Sequence, residues 1–309
     1  MKRLLGVLFS IVILGSCTQS PTTSPDNDVR PEVVVTYSVL GTLVSELVGD
    51  MARVAVIIPD GQDPHDFEPS AKDIEAINNA QLLVSNGLEF EEGLVEPLKS
   101  AETRGVTHFV VTDHLTTRTG EDHSHDEDDE SHSHDEDDES HSLAIDPHVW
   151  LSPYAMSEMI DDLALVVGDA LGIDVAAQSA ALIERLATLD SVVSNRIESL
   201  NACVLVTGHD ELGYFADRYG CTVVGAVIPS FSTTAEASAG ELADLEALVR
   251  EYDVPAIFTG IGTSSDVVEV LSTELGIPAI ELATHYLSGV TTYDAFITRL
   301  VDQIVEGLS

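Results

Sequence analysis

The chain of 309 residues carries 54 aspartates and glutamates against 13 lysines and arginines, a formal net charge of −41. So large an excess of negative charge excludes the phosphate backbone of a nucleic acid as a partner and draws cations toward the surface. The length still leaves about 275 residues for two domains, each with a core of its own, once a polar N-terminal stretch is set aside.

Lys2 and Arg3 open the chain, an apolar run from Leu4 to Leu14 follows, and Gly15-Ser16-Cys17 closes it. The run is too short for a permanent bilayer-spanning helix and has the basic-then-apolar order of a secretory signal. Small residues before a cysteine resemble the bacterial lipobox. That resemblance implies a lipoprotein signal peptide over 1–16, cleavage before Cys17 and lipid attachment to it. Residues 17–31, polar and proline-containing, then read as a tether. The expectation is an exported monomer, lipid-anchored at the outer face of the cell membrane or in the periplasm. It touches the bilayer only through its N-terminal acyl anchor.

From Val33 short β-branched runs alternate with helical patterns. Strands are predicted at 33–38, 53–58, 82–87 and 107–113, with helices at 40–49, 70–80 and 91–101 between them. Two long helical patterns follow, 152–171 and 175–200. The alternation then resumes with strands at 204–207, 222–228, 255–260 and 278–282, and helices at 210–219, 235–251, 264–275 and 292–307. This rhythm predicts an α/β protein of two parallel-sheet lobes, 32–172 and 202–309, joined by one long helix within 173–201. Open parallel sheets bind ligands beyond the carboxyl ends of their strands, so the cleft between the lobes is where a site is expected.

Between the lobe-one strands and the helix at 152 lies "EDHSHDEDDESHSHDEDDESHS", residues 121–142, in which the unit HSHDEDDES occurs twice. It holds twelve acids and no apolar residue, so it cannot offset the entropy of ordering itself. The surrounding segment 115–145 is therefore expected to be a disordered loop. Acid alone would make a solvated linker. The histidines His123, His125, His132, His134 and His141 add imidazole nitrogens, so the tract is read as an auxiliary, weak metal-binding segment.

Four of the remaining histidines stand at strand ends or in connecting loops. His65 lies in "GQDPHDFEPS", His148 in "DPHVWLSP", His209 in "TGHDELGYFADRYG" and His285 in "ELATHYLSG". Singly, each reads as a loop histidine satisfied by a backbone partner. Jointly, two from each lobe can converge on the cleft, and four imidazoles suit a tetrahedral zinc site. His108, inside a predicted strand, and His114, beside the tract, are weaker candidates.

Those four segments, in their order and intervals, together with the long helix and the acidic histidine-rich insertion, resemble the zinc/manganese-binding lipoproteins of ABC importers, the ZnuA/TroA-like group. The resemblance covers residues 33–309. It implies a rigid two-lobed binding protein that captures a divalent metal outside the membrane and delivers it to an ABC permease. His65, His148 and His209 match the family's first three ligand positions. A histidine at the third resembles the zinc-type members rather than the manganese-type, so Zn2+ is expected ahead of Mn2+. Many relatives carry aspartate at the fourth position, where this chain has His285. Asp210 and Glu281 are the carboxylates expected to offset the ion's charge from behind the ligands. Glu281, or water, takes the fourth place if His285 turns away.

Cys203 and Cys221 open two strands that, if neighbouring and parallel, bring both cysteines to one sheet edge. A disulfide and a pair of buried thiols are both compatible with that arrangement. Three rivals stand beside metal delivery to a permease: a manganese-binding homologue, a surface adhesin, and a zinc hydrolase. The chain has no HExxH and no GxSxG, so it is not expected to be an enzyme.

Overall fold

The computed structural model describes residues 30–119 and 144–309. The signal segment, Cys17, nearly all of the tether and the five tract histidines lie outside the described residues. The first half runs β1 (Glu32–Tyr37), α1 (Ser38–Val48), β2 (Arg53–Ile58), α2 (Ala71–Asn79), β3 (Leu82–Ser85), α3 (Val95–Thr103) and β4 (Thr107–Val110). Helices α4 (Pro153–Glu158), α5 (Ile160–Leu171) and α6 (Ala176–Glu198) follow. The second half runs β5 (Val204–His209), α7 (Gly213–Tyr219), β6 (Thr222–Ile228), α8 (Ala239–Glu251), β7 (Ile257–Thr259), α9 (Ser265–Leu275), β8 (Ala279–Glu281) and α10 (Tyr293–Gly307). The chain is an α/β protein of two lobes, each built on a four-stranded parallel sheet. The two sheets repeat one topology, β2-β1-β3-β4 and β6-β5-β7-β8.

Burial explains the strands. Val33, Val34 and Val35 of β1 lie between β2 and β3, in register with Val54 to Val56 and with Leu82 to Val84. A central parallel strand is covered on both faces, so it reads as an unbroken apolar run rather than an alternating one. Side-chain caps set the helix starts. Ser70 and Asp73 form a reciprocal capping box on α2, and Ser238 with Glu241 does the same on α8. The helix expected from 235 therefore begins only at Ala239. The helix expected over 152–171 is two helices broken at Met159, the first opened by the Ser152 cap and Pro153.

Helix α6 packs against elements from both halves. Its Arg185 pairs with Glu46 of α1 and Asp294 of α10, and its Arg196 pairs with Asp302 of α10 at 2.5 Å. Its Asp190 accepts from Arg218 (2.9 Å) and from the Tyr219 hydroxyl (3.1 Å), both on α7. Cys203, just before β5, is disulfide-bonded to Cys221, just before β6. Of the segment expected to be disordered, 115–145, the described ends are paired with each other. Thr119 bridges Ile145 in antiparallel fashion, and the Asp146 amide donates to Arg118 O at 3.0 Å. Among the described residues no helix is long and apolar enough to cross a membrane.

Candidate metal centre

Where successive strands are added on opposite sides of the first, loops at the carboxyl ends part and leave a crevice. In both sheets that reversal falls beside the first strand, at β1 and at β5. His209 is the last residue of β5, paired with Ile228, rather than a residue beyond the strand as the 204–207 boundary implied. His65 stands in the turn between β2 and α2, its main-chain N–H donating to Asp63 Oδ1 at 3.1 Å. His148 opens the 3-10 turn Val149–Leu151 ahead of α4, and His285 follows β8.

Trp150 ties two of these segments together. Its indole N–H donates to Thr284 O at 2.7 Å, and its own carbonyl accepts from the Tyr293 hydroxyl at 2.8 Å. A fully buried indole must satisfy its donor, and here the partner is the residue before His285. The turn bearing His148 is thereby bonded to the loop bearing His285.

The four rings meet. All six pairs of ring centroids lie between 5.0 and 5.6 Å apart. Six near-equal separations among four points describe a tetrahedron. One ligand atom from each ring falls within 4.8 Å of the others, and His148 Nε2 lies 3.1 Å from His209 Nε2. None of the four residues is more than 4% exposed. Burial, with the neighbouring rings adding to it, pushes His65 down from 6.5 to about 3 and His209 and His285 well below 6.5. For these three rings burial thus favours the neutral form, the one that donates a lone pair to a metal. Aromatic walls keep the place dry: Phe90 stacks on His285 and meets His65 edge-on.

Carboxylates stand behind the rings. Asp146 Oδ1 accepts from the His148 main-chain N–H (2.9 Å) and lies 2.8 Å from its Nδ1, so the ring donates from Nδ1 and turns Nε2 toward the other histidines. Arg118 Nη1 donates to the second oxygen of Asp146 at 3.0 Å. Glu92 Oε1 lies 3.5 Å from His65 Nδ1. Glu211, 1% exposed, faces His285 Nδ1 at 3.5 Å and His209 Nδ1 at 3.7 Å. Burial raises the Glu211 carboxyl to about 8, with the Thr284 hydroxyl opposing and Asp63, Asp210 and Asp146 adding to the rise.

The expectation for the supporting carboxylates needs correction. Glu281 is exposed and accepts from the Tyr286 hydroxyl at 3.1 Å, so it neither backs the rings nor replaces His285. Asp210 is half-buried with its amide donating to Ser230 O, and its neighbour Glu211 faces two of the imidazoles. The chain bends at Asp210, just past the end of β5, and Glu211 comes to face the rings. Asp146 carried a signal, standing two residues before His148 across a proline. Outside the cluster, His108 lies between Ser85 Oγ (2.8 Å) and Glu102 (2.6 Å), and His114 stacks on Phe109 and faces Asp162.

The family described as "ZnuA: Zinc-uptake complex component A periplasmic" matches this chain over residues 33–307. The chain belongs to that family. The zinc-binding protein AdcA of Streptococcus pyogenes serotype M3 is 31% identical over 292 residues, 92% of this chain and 55% of that protein. The chain thus spans about half the length of that relative. The manganese-binding lipoprotein MntA of Halalkalibacterium halodurans is 24% identical over 98% of this chain and 99% of its own. Among solved structures, the periplasmic zinc-binding protein TroA of Treponema pallidum superposes with a TM-score of 0.72 at 26% identity. That superposition covers 91% of this chain and 99% of TroA.

Proposed function

We propose that this protein is the extracytoplasmic solute-binding component of an ABC importer, and that zinc is the ion it captures and hands to the permease. The observation that carries the reading is the tetrahedral set of four buried imidazoles, His65, His148, His209 and His285. Zinc favours four nitrogen or sulfur donors at about 2.0–2.1 Å, whereas manganese favours oxygen. Four protein donors leave no position for an activated water, so the centre is a holding site rather than a hydrolytic one. In this reading the lobes run over 32–172 and 202–309, with α6 linking them. Cys17 carries the acyl anchor, the chain acts as a monomer, and the tract histidines bind further metal weakly.

A specific observation keeps manganese as the second reading: the MntA relative aligns over nearly its full length. Metal analysis of the purified protein, followed by titration of zinc and of manganese into the apo form of wild type and His285→Ala, tests both. One tight zinc per wild-type chain, a weaker one in His285→Ala and weak manganese are the expected results. An apo protein indifferent to zinc sinks the proposal.

A further inference from the structure

A metal held by imidazoles needs more than the nitrogens that touch it. Each ring must also present its other nitrogen to an acceptor, which fixes the tautomer, aims the lone pair and raises its basicity. His148 has Asp146 for that purpose, and His65 has Glu92 within 3.5 Å. His285 Nδ1 has the Thr284 hydroxyl at 3.0 Å, and His209 and His285 share one carboxylate. Glu211 turns Oε1 toward His209 Nδ1 and Oε2 toward His285 Nδ1, at 3.7 and 3.5 Å, between two rings whose planes lie within 28° of each other. The protein has also made room for it. A Cβ on Gly260 would come within 3.0 Å of Thr284 Oγ1 and 3.3 Å of Glu211 Oε1, so only glycine backs this carboxylate without pressing on it.

We propose that Glu211 is the positioning residue for two of the four ligands, its carboxyl oxygens accepting from the Nδ1 atoms of both His209 and His285 when an ion lies between the rings. The inference rests on the metal site proposed above. It gives a physical reason for a buried acid whose carboxyl meets the Thr284 hydroxyl and feels the further acids Asp63, Asp210 and Asp146. Without an ion between the rings such an acid is a cost to folding, because a buried carboxyl is stabilised only by partners that offset its desolvation. With an ion in place, both rings donate to it and the cost becomes a gain in metal affinity. The two separations exceed a hydrogen bond by a few tenths of an ångström, a distance that slight rotation of the rings onto the ion closes.

Glu211→Gln keeps the shape and removes one acceptor oxygen. The experiment measures zinc affinity by competition with a chelator of known affinity, and thermal unfolding of the apo form, for wild type and Glu211→Gln. Zinc binding weakened by about 10–100-fold, with an apo Tm equal to or above that of wild type, is the expected pair of results. A merely structural glutamate would instead lower the apo Tm. Zinc affinity within threefold of wild type, or a loss of apo Tm that accounts for the weakening, overturns the inference. Should Glu211→Gln fail to fold, Glu211→Met, similar in length and apolar, carries the same pair of measurements. Wild-type protein that binds no zinc at all defeats the site itself and not this assignment alone.

Discussion

Histidine at this centre is a residue under tension between burial and charge. Removing an imidazole from water favours its neutral form, and His65 accordingly sits at about 3 against an ordinary 6.5. In the unfolded chain the same ring takes up a proton near 6.5. Below that pH the unfolded state binds more protons, so stability of the apo protein falls as pH drops from about 6.5 toward 3. His209 and His285, pushed the same way, steepen the slope. The expected outcome is an apo Tm that declines through this window, and a shallower decline in His65→Asn. Equal slopes for the two proteins in circular-dichroism melts would refute it. The positions of all four rings were legible from their segments. Their carboxylate partners were not, because whether Glu211 faces His209 and His285 depends on how the chain turns after β5.

At the scale of elements, strands and helix caps obey local rules, and their placement in the sequence was correspondingly clear. Runs such as Val33–Val35 and Leu82–Val84 are apolar because they are buried on both faces. Boundaries moved where a side chain took control, as Ser238 does at the start of α8. The pairing of β5 with β6 decided the cysteines. Parallel register brings Thr222 N to Cys203 O at 2.8 Å, and the two sulfurs beside that bond are joined. The bridge closes a separation of 18 residues, a loop for which chain entropy assigns about 3 kcal/mol. Replacing both cysteines by serine should therefore lower unfolding stability by about 3 kcal/mol while zinc affinity stays near that of wild type, since neither sulfur touches the rings. Urea titration paired with zinc binding checks both halves. A variant of unchanged stability would contradict the first.

Across the whole molecule, the proposed division of labour is between weak chelation by the acidic tract and tight binding at the buried centre. A chelating segment that must order itself to bind pays entropy for each ion, whereas a preformed cluster does not. Deleting 121–142 should accordingly abolish weak additional zinc binding and leave one tight site, as counted by calorimetric titration. Loss of the tight site on deletion would make the tract the principal one.

The sequence by itself determined the class of the fold, the alternation of strand and helix, the negative field and the identity of the four histidines. Each of these is a property of local pattern, composition or recognisable segment. Only the tertiary structure decided that the six distances between those rings are nearly equal, that Asp146, Glu92 and Glu211 rather than Glu281 stand behind them, and that Trp150 bonds the His148 turn to the His285 loop. Those facts depend on contacts between residues as far apart in the chain as His65 and His285. Such contacts are set by how two sheets and their loops pack, and no short window of sequence contains both partners.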